Sequence, residues 1–373
     1  MKVPLVDLAR QHKEIAEEVE RGVAEVIGST AFIQGPQVAE FESEFAAFCG
    51  VRHCIGVSSG TDALELAVRA LGLGRGDQVI VPANSFIASA LGVIRAGAEV
   101  VLVDSDPDTH LIDVTQIGAA MGLRVRAVMP VHLYGQTAPV EQIGEVAGDA
   151  VILEDAAQSQ GATRHGKAAG SLGRIAGTSF YPGKNIGAYG DAGAVLTDDD
   201  DLADKVRRLG NWGSVKKYHH PVAGFNSRLD TIQAVVLSAK LSRLIRWNEQ
   251  RSIAAKRYDQ MLDGWDRLRL PVTLEGNVHI WHLYVIRVPE RDRVLEHLHS
   301  RGVGAGIHYP VPMHLQGALS DLGHDRGDFP VAERAASEIL SLPLFPGITE
   351  TEQEFVVETL RQALDSVGGG IDD

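Results

Sequence analysis

A lysine stands in a turn rich in glycine and proline, Ser179-Phe180-Tyr181-Pro182-Gly183-Lys184-Asn185, with Gly187 and Gly190 close behind. Upstream, the apolar run Ala150-Val151-Ile152-Leu153 ends on Glu154-Asp155-Ala156-Ala157-Gln158. Most lysines are solvated surface cations, and a carboxylate at a strand end is commonly a cap or half of a buried ion pair. Taken together, the two suit a more specific chemistry. An amine desolvated in a tight, apolar-flanked turn gives up its proton readily and attacks an aldehyde. A buried carboxylate needs a cationic partner, and a protonated pyridine nitrogen is one. Pyridoxal phosphate makes both demands. Lys184 and Asp155 therefore predict a site for that cofactor.

Other residues fit around the same ligand. Ser58-Ser59-Gly60-Thr61-Asp62 opens a helical stretch, where free amides and the helix dipole favour an anion and glycine permits its close approach. The same run also reads as an ordinary Ser N-cap. Ser179 would cap a phosphate from the strand end before Lys184, or bond a neighbouring turn. Phe86, after Pro82-Ala83-Asn84-Ser85, would stack on a ring or fill core. Gln158, three residues past Asp155, reaches the same place if the chain turns helical there. Two further motifs fail. Gly187 to Gly193 lacks dinucleotide spacing and an evident following helix, and Tyr218-His219-His220 lacks companion metal ligands and reads as a loop.

The elements that must hold these groups are read from hydrophobic patterning. Gln78–Pro82, Val100–Val103, Ala127–Val131 and Ala150–Leu153 are short apolar runs separated by helical stretches such as Asp62–Leu71 and Ile87–Ala96. Strands apolar on both faces, alternating with helices, predict an α/β fold with a mainly parallel sheet. Ligands of such sheets lie beyond the carboxyl ends of the strands, where both Asp155 and the Phe86 segment fall. Past Asp200 the chain turns helical and charged, with a long amphipathic run from Asp230 to Tyr258. A boundary near Leu262 gives a large domain over 1–262 and a smaller α+β domain over 263–373, on which the N-terminal segment can pack. That second domain is expected to hold a strand over Ile280–Arg287 and helices at Arg291–Arg301 and Glu352–Val367. The glycine-rich tail Gly368–Gly370 and Ile371–Asp373 reads as frayed.

Composition excludes several classes. With 35 Lys+Arg against 49 Asp+Glu, a net charge of -14, the 373-residue chain is a poor match for a nucleic-acid backbone. Cys49 and Cys54 are too few for a disulfide framework. No apolar run has signal-peptide or membrane-spanning length, so a soluble, cytoplasmic protein is expected.

With these residues in hand, the sequence resembles the DegT/StrS family of pyridoxal-phosphate-dependent sugar aminotransferases. The likeness runs through Pro4-Leu5-Val6-Asp7-Leu8, Gln34-Gly35-Pro36, Ser59 to Leu64, Glu154 to Gln158, Ser179 to Asn185, Asn226-Ser227-Arg228-Leu229-Asp230 and Ser341 to Pro346. It implies a fold-type I enzyme, with a seven-stranded sheet in the large domain, and a homodimer with shared active sites. It implies Lys184 as the cofactor-bearing lysine, Asp155 on the pyridine nitrogen and Gln158 on the ring hydroxyl. Gly60, Thr61 and Ser179 would hold the phosphate, Phe86 would stack, and Asn226 would reach the phosphate of the neighbouring subunit. The presence of lysine rather than histidine at 184 points to transamination rather than dehydration, with glutamate as donor. Phe180 to Asn185, Lys217-Tyr218-His219, Asn226 to Asp230 and His308 to Pro312 are similar to enzymes that aminate C3 of nucleotide-linked (dTDP) 3-keto-6-deoxyhexoses. By that likeness Tyr181, His308 and Tyr309 line the sugar pocket, and Arg228, Lys216 and Lys217 are candidates for the diphosphate. Trp212 and Ala192 depart from common family patterns. A 4-keto-sugar or inosose substrate, or a cofactor-binding regulator without turnover, are the rival readings.

Overall fold

The computed structural model describes residues 1–367; the predicted frayed tail lies outside them. Helices α1 (Leu8–Lys13), α2 (Ala16–Ser29) and α3 (Pro36–Cys49) lead into strand β1 (His53–Val57). Alternation then sets in: α4 (Gly60–Ala70), β2 (Gln78–Pro82), α5 (Ala88–Ala96), β3 (Glu99–Val103), α6 (Val114–Ala120), β4 (Val125–Val128), α7 (Val140–Val146) and β5 (Val151–Asp155). A short hairpin, β6 (Thr163–Arg164) and β7 (Lys167–Ala168), precedes β8 (Ile175–Ser179), β9 (Gly193–Thr197), α8 (Asp200–Gly210) and the 32-residue α9 (Thr231–Leu262). The remainder holds β10 (Asn277–Val278), β11 (Tyr284–Arg287), α10 (Arg291–Ser300), α11 (Pro330–Glu338), β12 (Ile339–Leu342) and α12 (Glu350–Val367).

The main sheet has seven strands in the order β1-β9-β8-β5-β4-β2-β3. The run from β8 to β3 is parallel, whereas β9 lies antiparallel to both β8 and β1. The mainly parallel sheet expected from two-sided apolar strands is present: β2, β8 and β9 are buried nearly throughout. The glycine-rich run Gly187–Gly193 leads into β9, a strand and not a helix. Chain reversal there makes the segment between β8 and β9 a long hairpin loop, and Lys184 sits on it.

A second apolar cluster joins Ala254, Tyr258 and Leu262 of α9 to β11, β12, α10 and α12, and takes in Val3. Val3 is fully buried and bridges to Val303, so the N-terminal segment packs on the C-terminal part of the chain. The predicted strand over Ile280–Arg287 is half as long as expected. Ile280 and Leu283 donate their amides to the carbonyls of Gly135 and Tyr134, and Trp281 adopts φ 52°. Those residues alternate in hydrophobicity because they pack against the loop that follows β4, and only Tyr284–Arg287 pairs with β12.

Candidate active site

The strand ends bring the predicted residues to one face. Asp155 closes β5, Ser179 closes β8, α4 starts at Gly60, and the β2–α5 connection carries Phe86. The Lys184 loop is pinned at its base by Phe180, whose amide donates to Ala192 and whose carbonyl accepts from Ala188, each at 2.8 Å. Lys184 N–H donates to the Tyr181 carbonyl at 2.9 Å, closing the tight turn expected from sequence. Gly187 is required here: a Cβ would fall 2.3 Å from the Pro182 carbonyl oxygen. Two contacts from α9 fix the loop from outside. Lys240 Nζ donates to the Gly187 carbonyl at 2.6 Å, and Asn248 Oδ1 accepts from Asn185 Nδ2 at 2.8 Å.

Charge at the centre is poised. Desolvation lowers the Lys184 ammonium to a pKa of about 8, against the opposing pull of Asp155. The residue is half-buried. Asp155 is buried, and desolvation raises its carboxyl; the Ser89 hydroxyl, the Ala157 amide, Lys184 and His132 act in the other direction. Asp155 Oδ2 accepts from Ser89 Oγ at 2.7 Å and Oδ1 from the Ala157 amide at 3.1 Å. Both ions are thus costly where they stand, as an amine meant to react and a carboxylate meant for a cationic ring should be.

The predicted phosphate corner has a matching shape. Ser59 caps α4, its Oγ accepting from Asp62 N–H at 3.1 Å, so the ordinary N-cap reading holds for that residue. Gly60 and Thr61 come next, and the first amides of a helix have no intrahelical acceptor. A Cβ on Gly60 would lie 2.5 Å from Ser179 Cβ. Glycine therefore allows the helix terminus and the Ser179 hydroxyl to share one small cradle. Phe86 is 52% exposed, which rules out the core reading, and its ring centroid is 5.3 Å from that of Tyr309. Tyr309 OH accepts from Gln158 Nε2 at 3.1 Å, and Gln158 Oε1 accepts from the Tyr134 amide at 2.7 Å. His308 bonds Ser341 Oγ through Nδ1 at 2.8 Å, and its carbonyl accepts from Tyr134 OH. Burial, aided by Lys184, drops its imidazole to a pKa of about 4, so it is neutral. Tyr181 stands 59% exposed at the rim.

Four predicted residues, Asn226, Arg228, Lys216 and Lys217, lie apart from this group. Asn226 is exposed, and its Oδ1 accepts from Arg228 Nη2 at 2.9 Å. Arg228 also reaches Asn211 and stacks 4.2 Å over the Trp212 ring. Arg228, Asn211 and Trp212, with Lys216, Lys217 and Tyr218, line a separate open cavity of about 1160 Å³. Tyr218-His219-His220 lies in this same loop, and no metal-binding group exists among the described residues. Both cysteines are buried and free.

Sequence reading missed several supports. Ser85 and Ser89 bond each other at 2.7 Å behind Asp155; their i, i+4 spacing beside Phe86 was the available signal. Glu154 is a buried tie, taking His132 Nε2 at 2.8 Å and the amides of Gly170, Leu172 and Gly173. His282, held by Asn185 Oδ1 at 3.1 Å, is a second neutral imidazole near Lys184.

The donor set and the Gly60 cradle fit pyridoxal phosphate: an amine, a carboxylate for a ring N–H, free amides for a phosphate and an exposed aromatic face. Comparison with known proteins agrees. The family model described as DegT/DnrJ/EryC1/StrS aminotransferase matches residues 13–361. A pleiotropic regulatory protein of Geobacillus stearothermophilus is 44% identical over 97% of this chain and 98% of its own. The dTDP-3-amino-3,4,6-trideoxy-alpha-D-glucose transaminase of Streptomyces venezuelae is 42% identical over 97% and 96%. Among solved structures, S. venezuelae DesV in complex with a ketimine intermediate superposes with a TM-score of 0.96 at 42% identity, covering 98% of this chain and 100% of that one. The chain belongs to the DegT/DnrJ/EryC1/StrS family and is a pyridoxal-phosphate-dependent sugar aminotransferase.

Proposed function

We propose that the enzyme transfers an amino group from L-glutamate to C3 of a dTDP-linked 3-keto-6-deoxyhexose. The observation that carries the chemistry is the opposed perturbation of Lys184 and Asp155, an amine made easier to deprotonate and a carboxylate in want of a cation. The likeness to the S. venezuelae transaminase supports the sugar class.

In this reading Gly60 and Thr61 amides and the Ser179 hydroxyl hold the cofactor phosphate, Phe86 covers one ring face, Gln158 meets the ring hydroxyl and Asp155 the ring nitrogen. Bound there, pyridoxal phosphate supplies an aldehyde that carries the amino group and a protonated ring that draws electrons from the reacting carbon. Lys184 Nζ, freed of its proton, removes the hydrogen on the donor's α-carbon and later delivers one to sugar C3. Asp155 stays ionised throughout and keeps the ring nitrogen protonated. Tyr181, His308 and Tyr309 border the sugar; being neutral, the His308 imidazole can donate or accept a hydrogen bond without adding a second cation beside Lys184.

The remaining assignments rest on the same reading. The exposed Asn226, bonded to the half-buried Arg228, suits a homodimer in which each subunit completes its neighbour's site, with Arg228, Lys216 and Lys217 serving the diphosphate. Leu262, at the end of α9, divides a large from a small domain. No helix among the described residues is long and apolar enough to cross a membrane; the cytoplasmic location is part of the proposal. Turnover with L-glutamate and a panel of dTDP- and UDP-linked 3-keto and 4-keto hexoses and an inosose, with the amine located by NMR, tests the proposal. Amination at C4 or of the cyclitol would overturn it, and cofactor binding without turnover of any substrate would favour a regulator.

A further inference from the structure

Asp155 is placed by its strand, but its oxygens are aimed by something else. An ionised carboxylate only accepts hydrogen bonds, so the 2.7 Å contact between Oδ2 and Ser89 Oγ must be donated by Ser89. Ser89 Oγ then uses a lone pair for its 2.7 Å contact with Ser85 Oγ, so Ser85 donates in turn. The chain has one direction: Ser85 to Ser89 to Asp155. Both hydroxyls are buried, at 5% and 1% exposure, so water does not compete for them. Such relays strengthen the terminal bond to the anion. The Ala157 amide uses one lone pair of Oδ1, and a carboxylate has about four acceptor sites, so both oxygens keep capacity for a ring N–H.

The placement also couples two parts of the site. Ser85 directly precedes Phe86, and the Ser89 amide donates to the Phe86 carbonyl at 3.1 Å. The turn that presents the aromatic ring is thus the turn that carries both hydroxyls. Other titratable groups facing Asp155 are Lys184 from the β8–β9 loop, His132 after β4 and Tyr309 from the C-terminal part. Of these, His132 is committed to Glu154, and Tyr309 to Gln158.

We propose that Ser89, backed by Ser85, is a positioning residue that keeps Asp155 ionised and orients it toward the cofactor's ring nitrogen. The inference rests on the cofactor reading above, and its test separates the two. In the cofactor-free protein, the ionisation of Asp155 is followed by difference infrared spectroscopy of the carboxylate stretch, assigned with Asp155→Asn. Ser89 lies in the first turn of α5, where alanine remains a good helix former, so Ser89→Ala should keep the fold, which circular dichroism checks. The expected result is an upward shift of Asp155 by about one unit, the size of one lost hydrogen bond to a charged group. Ser85→Ala should give a smaller shift in the same direction. In the loaded enzyme, Ser89→Ala should lower kcat about tenfold at unchanged KM for glutamate, and should do nothing further in an Asp155→Asn background. A folded Ser89→Ala protein with Asp155 unshifted, or an equal loss of kcat on top of Asp155→Asn, overturns the proposal. Failure of the cofactor reading shows itself separately, as a Lys184→Ala protein that keeps the visible cofactor band and full turnover.

Discussion

The Lys184–Asp155 cluster and the Asn226–Arg228 segment both carry polar groups suited to one substrate complex, yet they are built in opposite ways. In the first, Asp155, Gln158 and His308 are held by buried partners drawn from a helix, a turn and a strand: Ser89 on Asp155, Tyr134 on Gln158, Ser341 on His308. In the second, Arg228 bonds Asn211 and Asn226 and lies on Trp212, all within one exposed loop. The lesson is one of rigidity. Groups whose proton position matters are assembled around the sheet and held from several elements, whereas the polar groups of the second region hold one another within a single loop.

That contrast can be broken by substitution. The largest effect is expected for Lys184→Ala, which should lower turnover roughly 10²–10⁴-fold with the fold intact, read by steady-state rates and circular dichroism. Asp155→Asn should come second, at about 10²-fold in kcat, since it removes the charge partner of the ring while keeping its shape. If either costs only a few-fold, the cluster is not the chemical centre. Arg228→Ala should behave differently, raising KM for the nucleotide sugar about tenfold with kcat nearly unchanged. If the proposed homodimer shares its sites, mixing Arg228→Ala with Lys184→Ala subunits should restore part of the low-substrate activity, because a mixed dimer would then hold one intact site; no recovery would confine the loop to its own chain. The mildest perturbation is pH. Because the Lys184 amine sits near pKa 8, lowered from its usual value, its reactive unprotonated fraction falls as pH drops through 8. Cofactor loading of the stripped protein should therefore slow about tenfold per unit below pH 8 and level off above it, measured by stopped-flow absorbance. A flat profile from pH 6.5 to 9 would mean the amine is already neutral.

Legibility in the sequence divides along the same line. Asp155 and the α4 terminus were readable because each lies at the end of an apolar strand or the start of a helix, and Lys184 because glycine and proline mark its turn; the chemistry of each is local. Ser89 was not, because its partner lies 66 residues away and a serine in a helix has no chemistry until that partner is known. The strand predicted from Ile280 was overextended for a related reason: alternation reports burial on one side, and burial against the Tyr134–Gly135 loop imitates burial in a sheet. His308 and Tyr309 were reached through resemblance, since nothing local marks them; it took the fold to set Tyr309 against Gln158 and Phe86. Asn226 and Arg228 remain the least determined, their surroundings in one chain being their own loop.

The antiparallel placement of β9 has a mechanical consequence. Because the lysine loop leaves along β8 and returns along its immediate neighbour, the height of the amine above the sheet is set by strand register, Ser179 facing Gly193 and Ile175 facing Thr197. A slip of one residue would carry the loop about 3.4 Å and turn its inward residues outward. Lys184 is therefore geared to the sheet, and a single-residue deletion within β8 or β9 would displace it without altering the loop's own sequence.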